Sequence, residues 1–342
     1  MMHIGQKTLP KNILFSTLPG VWCLPLKYML KKMTKWTYND IPSQEGRVAI
    51  VTGANSGLGY YTVRGLADKG CEVIMACRNI RKGEDAKREL LKQNPDAKLK
   101  LMHLDLSDLE SVQKFADAFR ASYQQLDLLI NNAGLMAIPL RRTMQNFEMQ
   151  FGVNHLGHFA LTGHLFDLLQ GTERSRIVNV SSAAHKIGEI RFDDINWERG
   201  YSKWKAYGMS KLANIHFTHE LADKVAARGI DIRVVAAHPG YSDSSLIEKG
   251  PEMNGYHFLV RAGRIVNSMF AQNTEMGALP QLFAAASPEA VHRGYYGPGG
   301  FGGMRGYPVR TYPKRQKVSK DIQEQLWSLS EKMTGVSYLS SN

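Results

Sequence analysis

The sequence predicts a doubly wound α/β domain, a parallel sheet with helices on both faces. Three observations carry that expectation. Short apolar runs alternate with amphipathic segments of helix length, which implies strand-helix-strand crossovers and therefore parallel pairing. A glycine-rich turn stands directly after the first of these runs. The chain of 342 residues shows no internal repeat, no low-complexity linker and nothing resembling a second core, so one domain is expected.

Taken in order, Val48 to Thr52 reads as the first strand, and Tyr60 to Lys69 has the apolar spacing of a helix. Between them, Gly53, Gly57 and Gly59 let the backbone turn sharply and approach a pyrophosphate. Asn55, Ser56 and Leu58 complete the loop, and the free N–H groups of the new helix face the anion. The spacing is Gly-x-x-x-Gly-x-Gly rather than the Gly-x-Gly-x-x-Gly of the general dinucleotide loop, so taken alone a plain turn explains it equally well. Glu72 to Cys77 reads as the second buried strand, Lys98 to Leu104 as the third, Leu126 to Ile130 as the fourth, and the run closing at Ser182 as the fifth. Tyr207 and Lys211 follow in a helical stretch. Their i, i+4 spacing puts a phenol and an ammonium on one face, where the cation can lower the phenol's pKa. A solvated helix face is the ordinary explanation of such a pair, and the turn upstream is what favours chemistry.

Seven motifs in this order resemble the short-chain dehydrogenase/reductase family, over about Gly46 to Tyr296. They are Thr52-Gly53 with Gly57 and Gly59, Asp105-Leu106, Asn131 to Gly134, Asn154, Ser182, Tyr207 with Lys211, and Pro239-Gly240. The stretches Asn179 to His185 and Ala206 to Asn214, with the long interval between serine and tyrosine, are similar to the retinol-dehydrogenase-like branch. The resemblance implies a Rossmann-like sheet of about seven strands and an oxidoreductase interconverting an aldehyde or ketone with an alcohol. A catalytically silent NADP(H)-binding sensor or scaffold of the same fold is the alternative, although such proteins commonly lose the tyrosine or lysine that this chain keeps.

Roles follow from the chemistry and the resemblance together. A hydride moves with a proton, and a tyrosine at its reference pKa of about 10 is a poor base until a neighbouring cation favours the phenolate. Tyr207 is thus expected as general acid and base, with Lys211 as the cation and, by resemblance, as the holder of the nicotinamide ribose. Ser182 is expected to hydrogen-bond the substrate oxygen, with Ser181 as the other candidate and a helix cap as the competing explanation. Asn154 would, by resemblance, hold a water that relays protons to Lys211. Asp105, with Leu106 beside it, is expected near the adenine, and Asn132, Ala133 and Gly134 let the backbone pass close to the adenosine ribose. After the second strand, where an acidic residue would select NAD(H), the chain offers Arg78, with Arg81 and Lys82 close behind. A guanidinium suits a 2′-phosphate, so NADP(H) is expected over NAD(H), an ordinary loop cation being the alternative.

The net charge of +12 raises the question of nucleic acid. Residues 1–39 carry +6 and residues 304–342 carry +4, which leaves +2 for the body between them. The basicity belongs to the tails, and no nucleic-acid partner is expected. The predicted organisation is a basic N-terminal extension at 1–40, a catalytic domain at 41–303 and a basic C-terminal extension with a terminal helix at 304–342. Cys23, Cys71 and Cys77 have no metal-like spacing and read as small apolar side chains in a reducing compartment. The uncharged stretch Ile13 to Leu26 is 14 residues long and contains Pro19 and Pro25. Crossing a bilayer takes about 20 apolar residues, so this stretch reads as a targeting segment, a membrane-surface anchor or a region upstream of a start at Met33. The expected location is cytoplasmic or cytoplasm-facing at a membrane, with pairing into a homodimer left open.

The substrate is expected to be lipophilic, such as a retinoid, a lipid aldehyde or a steroid, because the lid at about 241–276 is rich in apolar residues, though packing against the core explains that equally well. The threonine that family members carry just past Pro239-Gly240 is missing from Tyr241-Ser-Asp-Ser-Ser245, so the cofactor amide contact falls to Ser244 or Ser245. His158 and His164 read as structural histidines, and His185 as a residue lining the pocket.

Overall fold

The computed structural model describes residues 35–240, 272–313 and 318–339. Eight strands among them form one sheet: β1 (Val48–Thr52), β2 (Glu72–Cys77), β3 (Leu99–His103), β4 (Leu128–Asn131), β5 (Ser175–Val180), β6 (Ile232–Ala237), β7 (Tyr295–Pro298) and β8 (Pro308–Thr311). Their order is β3-β2-β1-β4-β5-β6-β7-β8. All neighbouring pairs run parallel except the last, where β8 is antiparallel to β7. The order reverses between β1 and β4, and at such a switch point the carboxyl ends of the strands diverge to leave a crevice.

The sheet is Rossmann-like because its central strands are apolar on both faces. Ala49 and Val51 of β1, with Leu128, Ile130, Val178 and Val235, pack against the layer containing α1 (Gly57–Ala67) and α2 (Ile80–Gln93). The alternate residues Val48, Ile50, Leu129, Ile177 and Val234 pack against the opposite layer. A strand whose two faces are both covered has no polar side, which is why these segments are continuous apolar runs in the sequence.

The opposite layer is built from α3 (Leu109–Arg120), α4 (Met149–Phe151), α5 (Gly157–His164), α6 (Phe166–Gln170) and α7 (Lys203–Ala227). A π-helical turn, Gly152–Leu156, joins α4 to α5. Two further helices are described, α8 (Thr274–Ala286) on the α1 side and α9 (Lys320–Thr334). Ser319 caps the start of α9 through the Ile322 N–H, and Gly335 at φ 69° ends it in the left-handed region.

The stretch expected as a C-terminal extension is integral to this core. It supplies β8 at the sheet edge, and α9 lies against α7, with the Trp327 ring 5.1 Å from Phe159 and 4.9 Å from Tyr338. Thus α7 is covered by the sheet on one side and by α9 on another, so most of its residues are buried. The sheet therefore has one strand more than expected, and that strand is antiparallel. The stretch Ile13 to Leu26, Cys23 and most of the expected lid lie outside the described residues. Among the described residues no helix is long and apolar enough to cross a membrane.

Candidate active site

The glycine turn forms one wall of a cleft of about 320 Å³ at the switch point. Gly53 (φ 66°) and Gly57 (φ 56°) hold left-handed backbone conformations that side chains disfavour. Gly59 is constrained differently: a Cβ there would stand 2.2 Å from the Gly53 carbonyl oxygen and 2.7 Å from Asn132 Nδ2. The helix begins at Gly57, three residues before the sequence suggested, so Gly57 and Gly59 belong to its first turn and their N–H groups open on the cleft.

Every residue expected to bind the adenosine and pyrophosphate lines this one cleft: Gly53, Asn55, Ser56, Gly57, Leu58, Gly59, Arg78, Asp105, Leu106, Asn132, Ala133 and Gly134. Lys82, one of the cations expected close behind Arg78, joins them, as do Asn79 and Leu104, which were not expected. The 132–134 segment is fixed by Thr52, whose hydroxyl accepts from the backbone N–H groups of Asn132 and Ala133, both at 2.9 Å. The same hydroxyl lies 2.9 Å from His158 Nε2, and His158 Nδ1 lies 3.1 Å from the Asn154 carbonyl. His158 is therefore a buried strut between two site segments. Burial pushes its pKa down to about 3 and keeps it neutral. The residues alone did not reveal Thr52 and His158 as struts, because the contacts that employ them span 80 and 106 positions.

The second group of expected residues stands at the far end of the cleft. Lys211 Nζ would lie 3.3 Å from a Cβ on Gly134, and Asn154 Oδ1 3.2 Å from it, so a side chain there would press on both. Asn154, in the π-helical turn, clasps the chain at Leu135: its Oδ1 accepts from the Leu135 N–H at 2.8 Å and its Nδ2 donates to the Leu135 carbonyl at 2.9 Å. Nδ2 also donates to Ser210 Oγ at 2.9 Å. The side-chain amide is thereby committed, and Asn154 acts on the site by holding its walls.

Tyr207 and Lys211 share one face of α7, both nearly fully buried. The ammonium is 6.0 Å from the centre of the Tyr207 ring and donates to the Val180 carbonyl at 3.0 Å. Ser182 stands near the Tyr207 phenol and opposes the effect of burial on it. Its oxygen also accepts the Ala184 N–H at 3.2 Å, so it caps the short 3₁₀ turn Ala183–Ile187 as well. Ser181 differs in its partners, since its hydroxyl donates to the Lys211 carbonyl at 2.7 Å.

One electrostatic expectation needs correction. The sequence reading has Lys211 lowering the Tyr207 pKa, but in the protein alone burial raises it, opposed by the neighbouring Ser182. Burial acts on the lysine too, and pushes it down to about 8. Both groups are thus held towards their neutral forms until something in the cleft favours charge.

Pro239 and Gly240 lie past β6 and do not line the cleft wall. The Pro239 carbonyl accepts from Gln272 Nε2 at 2.7 Å, and Gly240, at φ 70°, leaves no room for a Cβ beside the Met304 carbonyl, 2.3 Å away. Ser244 and Ser245 are outside the described residues. Among the described residues no cluster of side chains suits a metal ion. The two cysteines described, Cys71 and Cys77, are free and buried.

A sequence profile of the family described as short chain dehydrogenase matches residues 47–254. Retinol dehydrogenase 12 of Mus musculus is 37% identical over 294 residues, which is 86% of this chain and 88% of that protein. Retinol dehydrogenase 13 of Homo sapiens is 36% identical over 296 residues, covering 85% of each. Among solved structures, an uncharacterised protein from Mycobacterium paratuberculosis superposes with a TM-score of 0.74 at 40% identity, over 89% of this chain and 99% of that one.

Proposed function

The chain belongs to the short-chain dehydrogenase family and is an oxidoreductase acting on CH–OH groups, and we propose that it interconverts a lipophilic aldehyde or ketone with its alcohol using NADP(H). The observation that carries this reading is the junction at Gly134, where the nucleotide cleft meets Lys211 and, through α7, the neighbouring Tyr207 and Ser182. The glycine cradle, which side chains would fill, and the cationic Arg78 at its mouth fit a phosphorylated dinucleotide.

The nicotinamide supplies or takes the hydride when bound. The protein moves the proton. Tyr207 gives its phenolic hydrogen to the carbonyl oxygen in reduction and takes it back in oxidation. Ser182 donates to the same oxygen as negative charge grows on it. Lys211 stabilises the phenolate side of that exchange and holds the ribose, while Asn154 keeps the wall at Leu135 in place.

For the cofactor, Arg78 is the testable residue. Charge-assisted hydrogen bonds are worth about 1.5–3 kcal/mol, so Arg78→Ala is expected to raise KM for NADPH by about 10- to 100-fold and to leave KM for NADH nearly unchanged. Steady-state kinetics with both cofactors decides this, and comparable wild-type KM values would reject the phosphate clamp.

For the substrate, two exposed apolar side chains stand beside the phenol. The Trp204 ring, 49% exposed, meets the Tyr207 ring edge-on at 6.4 Å. Ile187, 57% exposed, reaches to 3.1 Å of where a Cβ on Gly208 would be. Both would gain from an apolar chain laid across them. In a screen of NADPH consumption over straight-chain aldehydes, retinal and steroid ketones, kcat/KM is expected to climb with apolar length, and Trp204→Ala to remove most of that climb. Tight NADPH binding without turnover of any carbonyl would instead assign the chain a sensing role. We place the enzyme in the cytoplasm or at a cytoplasm-facing membrane surface, the basic residues 1–39 being suited to an anionic surface.

A further inference from the structure

Ser182 is gripped from behind by a histidine. The Ser182 carbonyl accepts from the His185 backbone N–H at 3.0 Å and lies 2.7 Å from ring Nδ1. A carbonyl only accepts, so Nδ1 carries the hydrogen. The second neighbour of Nδ1 agrees. It is the Tyr295 hydroxyl, 3.4 Å away, whose oxygen can accept a share of the same hydrogen.

The ring is 1% exposed, and burial together with the nearby Lys186 lowers its pKa, which favours the neutral form. With Nδ1 protonated, Nε2 is a bare lone pair, and it has no hydrogen-bond partner. A buried histidine with one nitrogen engaged twice over and the other idle is arranged for the engaged side.

We infer that His185 is the positioning residue for Ser182: its Nδ1–H, aimed at the Ser182 carbonyl, fixes that peptide so that the hydroxyl is held towards Tyr207. The inference rests on the catalytic reading of Ser182 and Tyr207 given above.

Two measurements test it. In protein with ¹⁵N-labelled histidine, a long-range ¹H–¹⁵N correlation spectrum reports the tautomer, the His185 signals being those lost in His185→Asn. The Nδ1–H form is expected, and the Nε2–H form would overturn the inference. The second is kinetic, with NADPH and decanal. An asparagine places an amide N–H near the Nδ1 position, whereas a glutamine reaches towards Nε2. His185→Asn is expected to keep kcat within about threefold of wild type, and His185→Gln to lower it by about 10- to 100-fold. NADPH Kd should be unchanged in both, which also shows that they fold. In a Ser182→Ala background the glutamine variant should have no further effect, because the histidine acts through the serine. Rescue by glutamine in place of asparagine, or additive losses in the double variant, would overturn the assignment. Should the wild type reduce no decanal, the aldehyde reading falls, and the tautomer spectrum still decides the His185 geometry on its own.

Discussion

Tyr207→Phe is expected to lower kcat by about 10³-fold, the range in which general acid-base catalysis contributes, while NADPH Kd stays within about threefold. The substitution removes one oxygen and keeps the ring. Trp204 keeps its edge-on partner, and Ser182 keeps the Ala184 N–H. Binding and catalysis should therefore separate cleanly. Fluorescence titration of NADPH and single-turnover absorbance of the same preparation make the comparison, and a variant with wild-type kcat would reject the proton-transfer role.

Lys211→Met should do two opposite things. Activity should fall by about 10²–10³-fold, because the charge that favours the phenolate is gone. Stability should rise. The ordinary lysine pKa of 10.5 is pushed down to about 8 by burial, so below pH 8 the folded protein carries an ammonium whose desolvation disfavours the native state. The sign is that of a cation with a depressed pKa: the penalty is complete below about pH 8 and fades as pH rises towards 10.5, where the unfolded chain also loses its proton. A shift of that size is on the order of 3 kcal/mol. Methionine has a similar length and no charge to desolvate. The Val180 carbonyl it leaves behind still accepts from Asn214 Nδ2 at 3.1 Å. Thermal unfolding without cofactor should show Tm several degrees above wild type at pH 7, with the gap narrowing by pH 10. A lower Tm at pH 7 would mean that the hydrogen bond outweighs the desolvation.

The sheet was legible in the sequence as far as its strands are buried on both faces. Val48 to Val51 and Leu128 to Ile130 are apolar throughout because both of their faces are covered, and such runs announce themselves. The eighth strand was not legible. Pro308 opens it, Arg310 points away from the core, and an edge strand with one partner needs neither alternation nor an unbroken apolar run. The site followed the same division. The glycines, Ser182, Tyr207 and Lys211 are required by local geometry or by chemistry, so their joint order along the chain exposes them, which no single spacing does. Thr52, His158 and the Tyr295-His185 contact serve the site through partners up to 110 positions distant, and their residue types are ordinary. The electrostatic reading failed for a related reason: an i, i+4 spacing shows that two groups are near, whereas the burial that dominates both pKa values is set by the whole fold.

The placement of α9 has a consequence for synthesis. Trp327 and Tyr338 complete the aromatic seam around Phe159 and Phe217, yet they follow the last strand of the sheet in the chain. Until they emerge, the nascent chain holds a finished dinucleotide half beside a long helix with an uncovered oily flank. A newly made copy is thus at its stickiest between the emergence of β8 and that of α9, and a chaperone that shields that flank would help most in that interval.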